Sequence, residues 1–168
     1  RAAVHEAGHA VVMTALGVGE VKALRLSPNG GETRLRWFNI DVTRDMLQQR
    51  CAAHLAGRAA EILLLGEASG GAGGTDDSDL HVATMLMLQC HLSLGLGDMG
   101  HLSLGAPPPA ATLLSMSGVM RQNMQRDLDR ALTIALEVLQ QHQPLLESLA
   151  RELETRGFLV EVDLTAAL

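Results

Sequence analysis

Aromatic residues are nearly missing from this sequence: Trp37, Phe38 and Phe158 are the only three, and there is no tyrosine. A core without large rings must be filled by Leu, Ala, Val and Met. That favours helix packed on helix over a sandwich or barrel. Lysine is as scarce, with Lys22 standing alone beside twelve arginines, a bias that reads as genome composition rather than chemistry. The net charge of −6 gives no general attraction to nucleic acid or anionic lipid, so no nucleic-acid partner is expected. The two cysteines, Cys51 and Cys90, fall inside helical patterns without metal-like spacing, as small buried hydrophobes do in a reducing compartment. Continuous apolar runs are lacking too. Between Leu80 and Met120 the only formal charge is Asp98, but His81, Gln89 and His91, then Gly95, Gly97, Gly100, Gly105 and Pro107 to Pro109, break the stretch. A bilayer helix needs about 20 unbroken apolar residues, so no span is predicted. No secretory leader pattern is visible. Arg1 stands where an initiator methionine would, directly before a helical motif, and this leads us to expect a piece of a longer chain.

What is present is 47% hydrophobic residues over 168 positions, enough for one globular domain spanning 1–168. A first helix is predicted over about 2–16, stopping at Gly17. Residues 20–27 and 33–40 are short and alternating, and Pro28-Asn29-Gly30-Gly31 between them signals a β-hairpin. Thr43 suits the N-cap of a helix running to Leu65 and closed by Gly66. A glycine-rich loop over 70–74 leads into Thr75-Asp76-Asp77-Ser78-Asp79, an acidic start for a helix over 78–93. Residues 94–115 are rich in glycine and proline and are expected to form a mobile loop. An amphipathic helix is predicted over 117–143, with Met120, Met124, Leu128, Ala131, Leu132, Ala135 and Leu139 on one side. Pro144 opens another helix, Gly157 ends it, and Asp163 is placed to cap a final turn. The fold class is therefore mainly α, with one small β-hairpin.

The chemistry lies in His5-Glu6-Ala7-Gly8-His9. Two imidazoles four positions apart are only about 40° apart around a helix, so both can reach one divalent metal. Glu6, one position along, can act on water beside that metal. Ala2, Ala3, Val4, Ala7, Ala10, Val11 and Val12 surround these polar groups, which would be costly to bury without a partner. Zinc is such a partner. A catalytic zinc needs a third protein ligand, and spacing alone leaves Asp76, Asp77, Asp79, His54, His81, His91, His101 and Glu61 as candidates. The HExxHxxGxxH arrangement is excluded, because its third histidine would fall at Ala15.

Several blocks in order resemble the peptidase domain of the FtsH family of ATP-dependent zinc metalloproteases, membrane-anchored AAA+ proteases. They are Arg1 to Val12 (RAAVHEAGHAVV), Ala56 to Glu61 beside the family's GGRAAE, Gly74 to Thr84 (GTDDSDLHVAT) beside its GASNDLxxAT, and the closing stretch from Leu149. The resemblance implies a helical zinc-peptidase fold, with Zn2+ on His5, His9 and Asp79 and with Glu6 as general base. It implies unfolded or damaged polypeptides as substrates, an AAA+ ATPase module in cis or trans, and a hexamer. The expected location is the cytoplasm, or the cytoplasmic face of a membrane where the parent chain carries an anchor. Aspartate is a reasonable third ligand, a hard anionic donor that lowers the site's charge. Glu61, a carboxylate on an alanine-rich helix face, is a candidate partner for the outer nitrogen of a ligand histidine. Asp76 and Asp77 read as cap or surface groups, and His54, His81, His91, His101 and His142 as structural or surface residues. Strand residues Thr33, Arg34 and Leu35 are candidates for holding an extended peptide on an exposed sheet edge.

The departures are that Ala56 replaces the first glycine of GGRAAE, Ile62 replaces a glutamate, and the 94–115 loop lacks the family's charges. No GxxxxGK[ST], Walker B or transmembrane segment is present, which fits trimming of an ATPase module. The competing expectation is an inactive homologue serving as an oligomerisation or substrate-binding module, against which stands the intact HEAGH. A freestanding peptidase acting without ATP is the third.

Overall fold

A computed structural model describes residues 1–160 except 29, 39, 40, 99, 107, 108 and 110–114. Helix α1 (Ala2–Ala15) is followed by strands β1 (Gly19–Ser27) and β2 (Gly30–Trp37), then helix α2 (Arg44–Leu65). A short 3-10 turn (Gly70–Ala72) precedes α3 (Asp79–Leu92), α4 (Gly118–Gln141), α5 (Gln143–Arg156) and strand β3 (Phe158–Val160). The chain is thus mainly helical, as the composition implies.

Helix limits follow local chemistry. The Thr43 hydroxyl accepts the Met46 N–H at the start of α2, and Gly66 ends that helix at φ +83°, a left-handed cap that a side chain would strain. The Ser117 hydroxyl caps α4 through Met120 N–H, and Pro144 lies in the first turn of α5. The side of α4 predicted to face inward does so. Met120, Met124, Ala131, Ala135 and Leu139 are buried, and Leu128 and Leu132 pack partly against the core.

Helix α2 is the central element, packed against α1, α3 and α4. Its contact with α1 is unusually close because both surfaces are built from small residues. A Cβ at Gly8 would lie 2.6 Å from both the Ala56 carbonyl oxygen and the Ala60 Cβ. That near-backbone approach draws the motif helix onto the alanine-rich face of α2. The hydrophobic core is accordingly alanine, valine, leucine and methionine with Cys51 and Cys90, and among the described residues it contains no buried phenylalanine or tryptophan.

The sheet has the order β2-β1-β3, all antiparallel, so β2 is an edge strand. The hairpin closes at Ser27↔Gly30; Asn29 of the predicted turn and Asn39 and Ile40 of the predicted second strand lie outside the described residues. Strand β3 is an addition to the predicted hairpin. Immediately after Gly157, Leu159 is buried opposite Leu24 of β1. The final turn predicted at Asp163 lies outside the described residues.

A second buried polar cluster ties α3 to α4. His91 Nε2 donates to Asp127 at 2.7 Å, and the Asp98 N–H donates to His91 Nδ1 at 3.3 Å. Both ring nitrogens of His91 therefore have partners. Asp98 also pairs with Arg44 and Arg126, which anchors part of the loop after α3. Among the described residues no helix is long and apolar enough to cross a membrane.

Candidate metal centre

Helix α1 presents His5 and His9 side by side, with ring centroids 4.9 Å apart and planes at 67°. The first residue of α3, Asp79, approaches them from the opposite side. Its Oδ2 lies 3.2 Å from His5 Nε2 and 3.2 Å from His9 Nε2. These three groups form a cluster able to hold one metal ion, their ligand atoms all within 4.8 Å of one another. Asp76 and Asp77, one turn earlier, are exposed.

The outer nitrogens of both rings are engaged. His5 Nδ1 donates to Glu61 Oε1 at 2.9 Å, and His9 Nδ1 donates to the Ala53 carbonyl at 2.8 Å. Both acceptors require a hydrogen on Nδ1, which leaves a lone pair on each neutral Nε2. Two lone pairs then face a carboxylate oxygen, an arrangement that repels unless a cation or added protons lie between. A zinc ion removes that conflict for all three groups at once. Ligand atoms at tetrahedral angles about 2.0–2.1 Å from zinc stand about 3.3 Å apart, and the two imidazole–carboxylate separations here are 3.2 Å. The donor set and these two separations fit the ion.

Glu61 is buried on α2 and accepts four hydrogen bonds. Arg1 Nη1 donates at 2.6 Å, Ser69 N–H at 2.8 Å, His5 at 2.9 Å and Ser69 Oγ at 3.1 Å. Burial pushes its carboxyl up, but the bonds from Arg1, His5 and Ser69 outweigh that and hold it at about 2. It is therefore a fixed anion behind His5. Burial likewise opposes the charge on Asp79, but without a metal the nearby rings of His5, His54 and His9, where protonated, hold its carboxyl well below the usual range. His5 is pushed down by burial, yet its bonds to Asp79 and Glu61 and the charge of Glu6 raise it overall.

Glu6 is buried at the floor of a cleft of about 600 Å³ that also contains His5, His9, Thr33, His54 and Asp79. Glycines make room for these groups. A Cβ at Gly57 would lie 2.3 Å from His5 Nε2, and one at Gly31 would lie 2.4 Å from Glu6 Cγ. Of the three strand residues singled out in the sequence, Thr33 and Leu35 line the cleft; Arg34 is exposed and pairs with Glu32.

Two roles at the site were not read from the sequence. Thr33 Oγ1 donates to Glu6 Oε2 at 2.5 Å, although nothing in the alternation of β2 marks that hydroxyl. His54, read as structural or surface, stands at the site instead. Its Nδ1 is 3.8 Å from Asp79 Oδ1 and its ring stacks near Trp37 at 5.0 Å. The available signal was its position on α2, one residue after Ala53, whose carbonyl holds His9. His81, His101 and His142 take no part in the cluster, and His91 is fully buried in its pair with Asp127.

A helix carrying HExxH, a third donor brought in by another helix, and a carboxylate beside them are the parts from which zinc metalloprotease sites are built. The comparisons agree. The model of peptidase family M41 matches residues 1–166, and the chain belongs to that family. It is similar to proteins named ATP-dependent zinc metalloprotease FtsH. The protein from Heterosigma akashiwo is 40% identical over 62% of this chain and 16% of its own length. That from Methylococcus capsulatus is 28% identical over all of this chain and 29% of its own length. A protein of Oryza sativa subsp. japonica named ATP-dependent zinc metalloprotease FTSH 2, chloroplastic, is 33% identical over 77% of this chain and 20% of its own length. The chain thus spans less than a third of the length of these relatives.

Proposed function

We propose that residues 1–168 form a single zinc-dependent endopeptidase domain that degrades unfolded or damaged polypeptides. The observation that carries this reading is the convergence of His5 Nε2, His9 Nε2 and Asp79 Oδ2 beside the buried carboxylate of Glu6. When bound, zinc supplies Lewis acidity, acidifying water and drawing charge from the scissile carbonyl oxygen. Glu6 takes the proton from the attacking water and passes it to the leaving amine. Glu61 and the Ala53 carbonyl fix the ring orientation and tautomer of His5 and His9, leaving each Nε2 lone pair free to bind. This chemistry is proposed to be coupled to an AAA+ ATPase module, in cis or in trans, in a hexameric ring, in the cytoplasm or at the cytoplasmic face of a membrane. The names of the relatives support the coupling to ATP.

Chelation followed by metal addition tests the reading. Stripping zinc should abolish cleavage of an unfolded casein-type substrate, and adding about one equivalent per chain should restore it. Undiminished cleavage by metal-free protein would exclude this mechanism.

The edge strand β2 is proposed to hold substrate. Among the described residues no strand pairs with its outer side, and two of its side chains line the cleft, so an extended peptide can add as a further strand with little sequence preference. Hydrogen bonding alternates along a strand, so one of Arg34 and Leu35 directs its N–H away from β1. Proline at that position should raise KM by about 10-fold, the loss of roughly one main-chain hydrogen bond, with zinc content unchanged. Normal KM for well-folded proline variants at both positions would rule the edge out.

A further inference from the structure

We propose that Thr33 is a positioning residue for the general base, its hydroxyl holding the Glu6 carboxylate in the pose that accepts a proton. This rests on the assignment of Glu6 as base and extends it to a residue on a different element. A glutamate side chain has three rotatable bonds, and a base that wanders by an ångström loses most of its effect. Helix α1 alone does not fix those torsions. Strand β2 does so in two ways. Gly31 offers no side chain where a Cβ would lie 2.4 Å from Glu6 Cγ and 2.5 Å from Oε1, so the carboxylate seats directly against the strand. Two residues on, Thr33 Oγ1 donates to Oε2 at 2.5 Å, a short, charge-assisted bond.

The consequence is a division of labour between the two oxygens. Oε2 is occupied by Thr33, whereas Oε1 has no hydrogen-bond partner among the described residues and remains the oxygen that can take a proton. Thr33 Oγ1 also lies 3.4 Å from the Glu6 carbonyl oxygen, so the hydroxyl spans the backbone and side chain of the same residue. The base and the proposed peptide-holding strand are thereby joined as one unit. A peptide aligned on β2 is aligned to Glu6 as well.

Thr33→Val keeps the shape and removes the donor; Thr33→Ser keeps the donor. In the zinc-loaded chain, Thr33→Val should lower kcat by about 10- to 100-fold, the range for a lost hydrogen bond to a charged group, with KM within about 2-fold. Zinc content should match wild type, the thermal midpoint should fall by no more than the several degrees that one lost hydrogen bond costs, and Thr33→Ser should recover kcat to within about 3-fold. A second readout needs no turnover. In protein labelled with 13C-glutamate, the Glu6 carboxylate resonance, assigned by its loss in Glu6→Gln, should move in Thr33→Val and not in Thr33→Ser. A rise in KM alone, a serine variant as impaired as valine, or an unmoved Glu6 resonance would overturn the proposal. Should the wild-type chain prove inactive with zinc bound, the peptidase reading fails, and the resonance still decides whether Thr33 holds Glu6.

Discussion

Glu6→Gln is expected to bind about one zinc per chain and to lose proteolysis by about 1,000-fold or more, at the upper end of what a positioned acid–base group contributes. Glutamine matches glutamate in shape, and its amide oxygen can still accept the Thr33 hydroxyl, so the packing of β2 on α1 is preserved. What it cannot do is take a proton. The proposed metal-binding atoms belong to His5, His9 and Asp79, and the outer nitrogens of the two rings bond to Glu61 and the Ala53 carbonyl rather than to Glu6. Binding and chemistry therefore separate at this one position. Metal analysis beside a proteolysis assay reads both. A variant that still cleaves near the wild-type rate would remove Glu6 from the mechanism. One that loses zinc as well would recast it as part of the metal-binding set.

The elements that could be read from the sequence are those whose causes are local. Thr43, Gly66 and Gly157 mark helix ends because a hydroxyl cap and two left-handed residues act within one turn of chain. The pair His5 and His9 was visible for the same reason, since four residues of helix fix their relation. The remaining features depend on contacts between distant segments. Asp79 is 74 residues from His5, and spacing alone left it among several acids and histidines. The family resemblance, not periodicity, singled it out. Strand β3 is three residues long and exists because Leu159 fills a place opposite Leu24, which no short apolar run announces by itself. Gly8, Gly31 and Gly57 are needed because a backbone or a side chain from another element occupies the space of a Cβ. Thr33 and His54 belong to the same kind. Each reaches the site across the α1–β2 or α2–α3 junction, and each reads as an ordinary strand or helix residue when its own segment is considered alone.

Asp79→Ala should reduce zinc affinity by more than about 100-fold, beyond the 10- to 100-fold typical of losing a partner behind a ligand. The alanine variant leaves two imidazoles without the anionic donor that lies 3.2 Å from both, and two neutral ligands bind a divalent ion poorly. His5→Ala or His9→Ala should do the same. Glu61→Gln should fall in the milder range. It leaves the ligand atom on His5 intact but replaces the fixed anion behind that ring, which also accepts from Arg1 and Ser69, by a neutral amide. His54→Ala provides the internal control. Its Nδ1 is 3.8 Å from Asp79 Oδ1 and its nitrogens lie outside the three-ligand cluster, so zinc affinity should stay within about 10-fold of wild type. Competition against a chromogenic zinc chelator orders the five variants on one scale. The order expected is near-equal, large losses for His5, His9 and Asp79, an intermediate loss for Glu61 and the smallest for His54. If His54→Ala lost zinc while Asp79→Ala kept it, the third ligand would be the histidine on α2, and Asp79 would become its hydrogen-bonding partner.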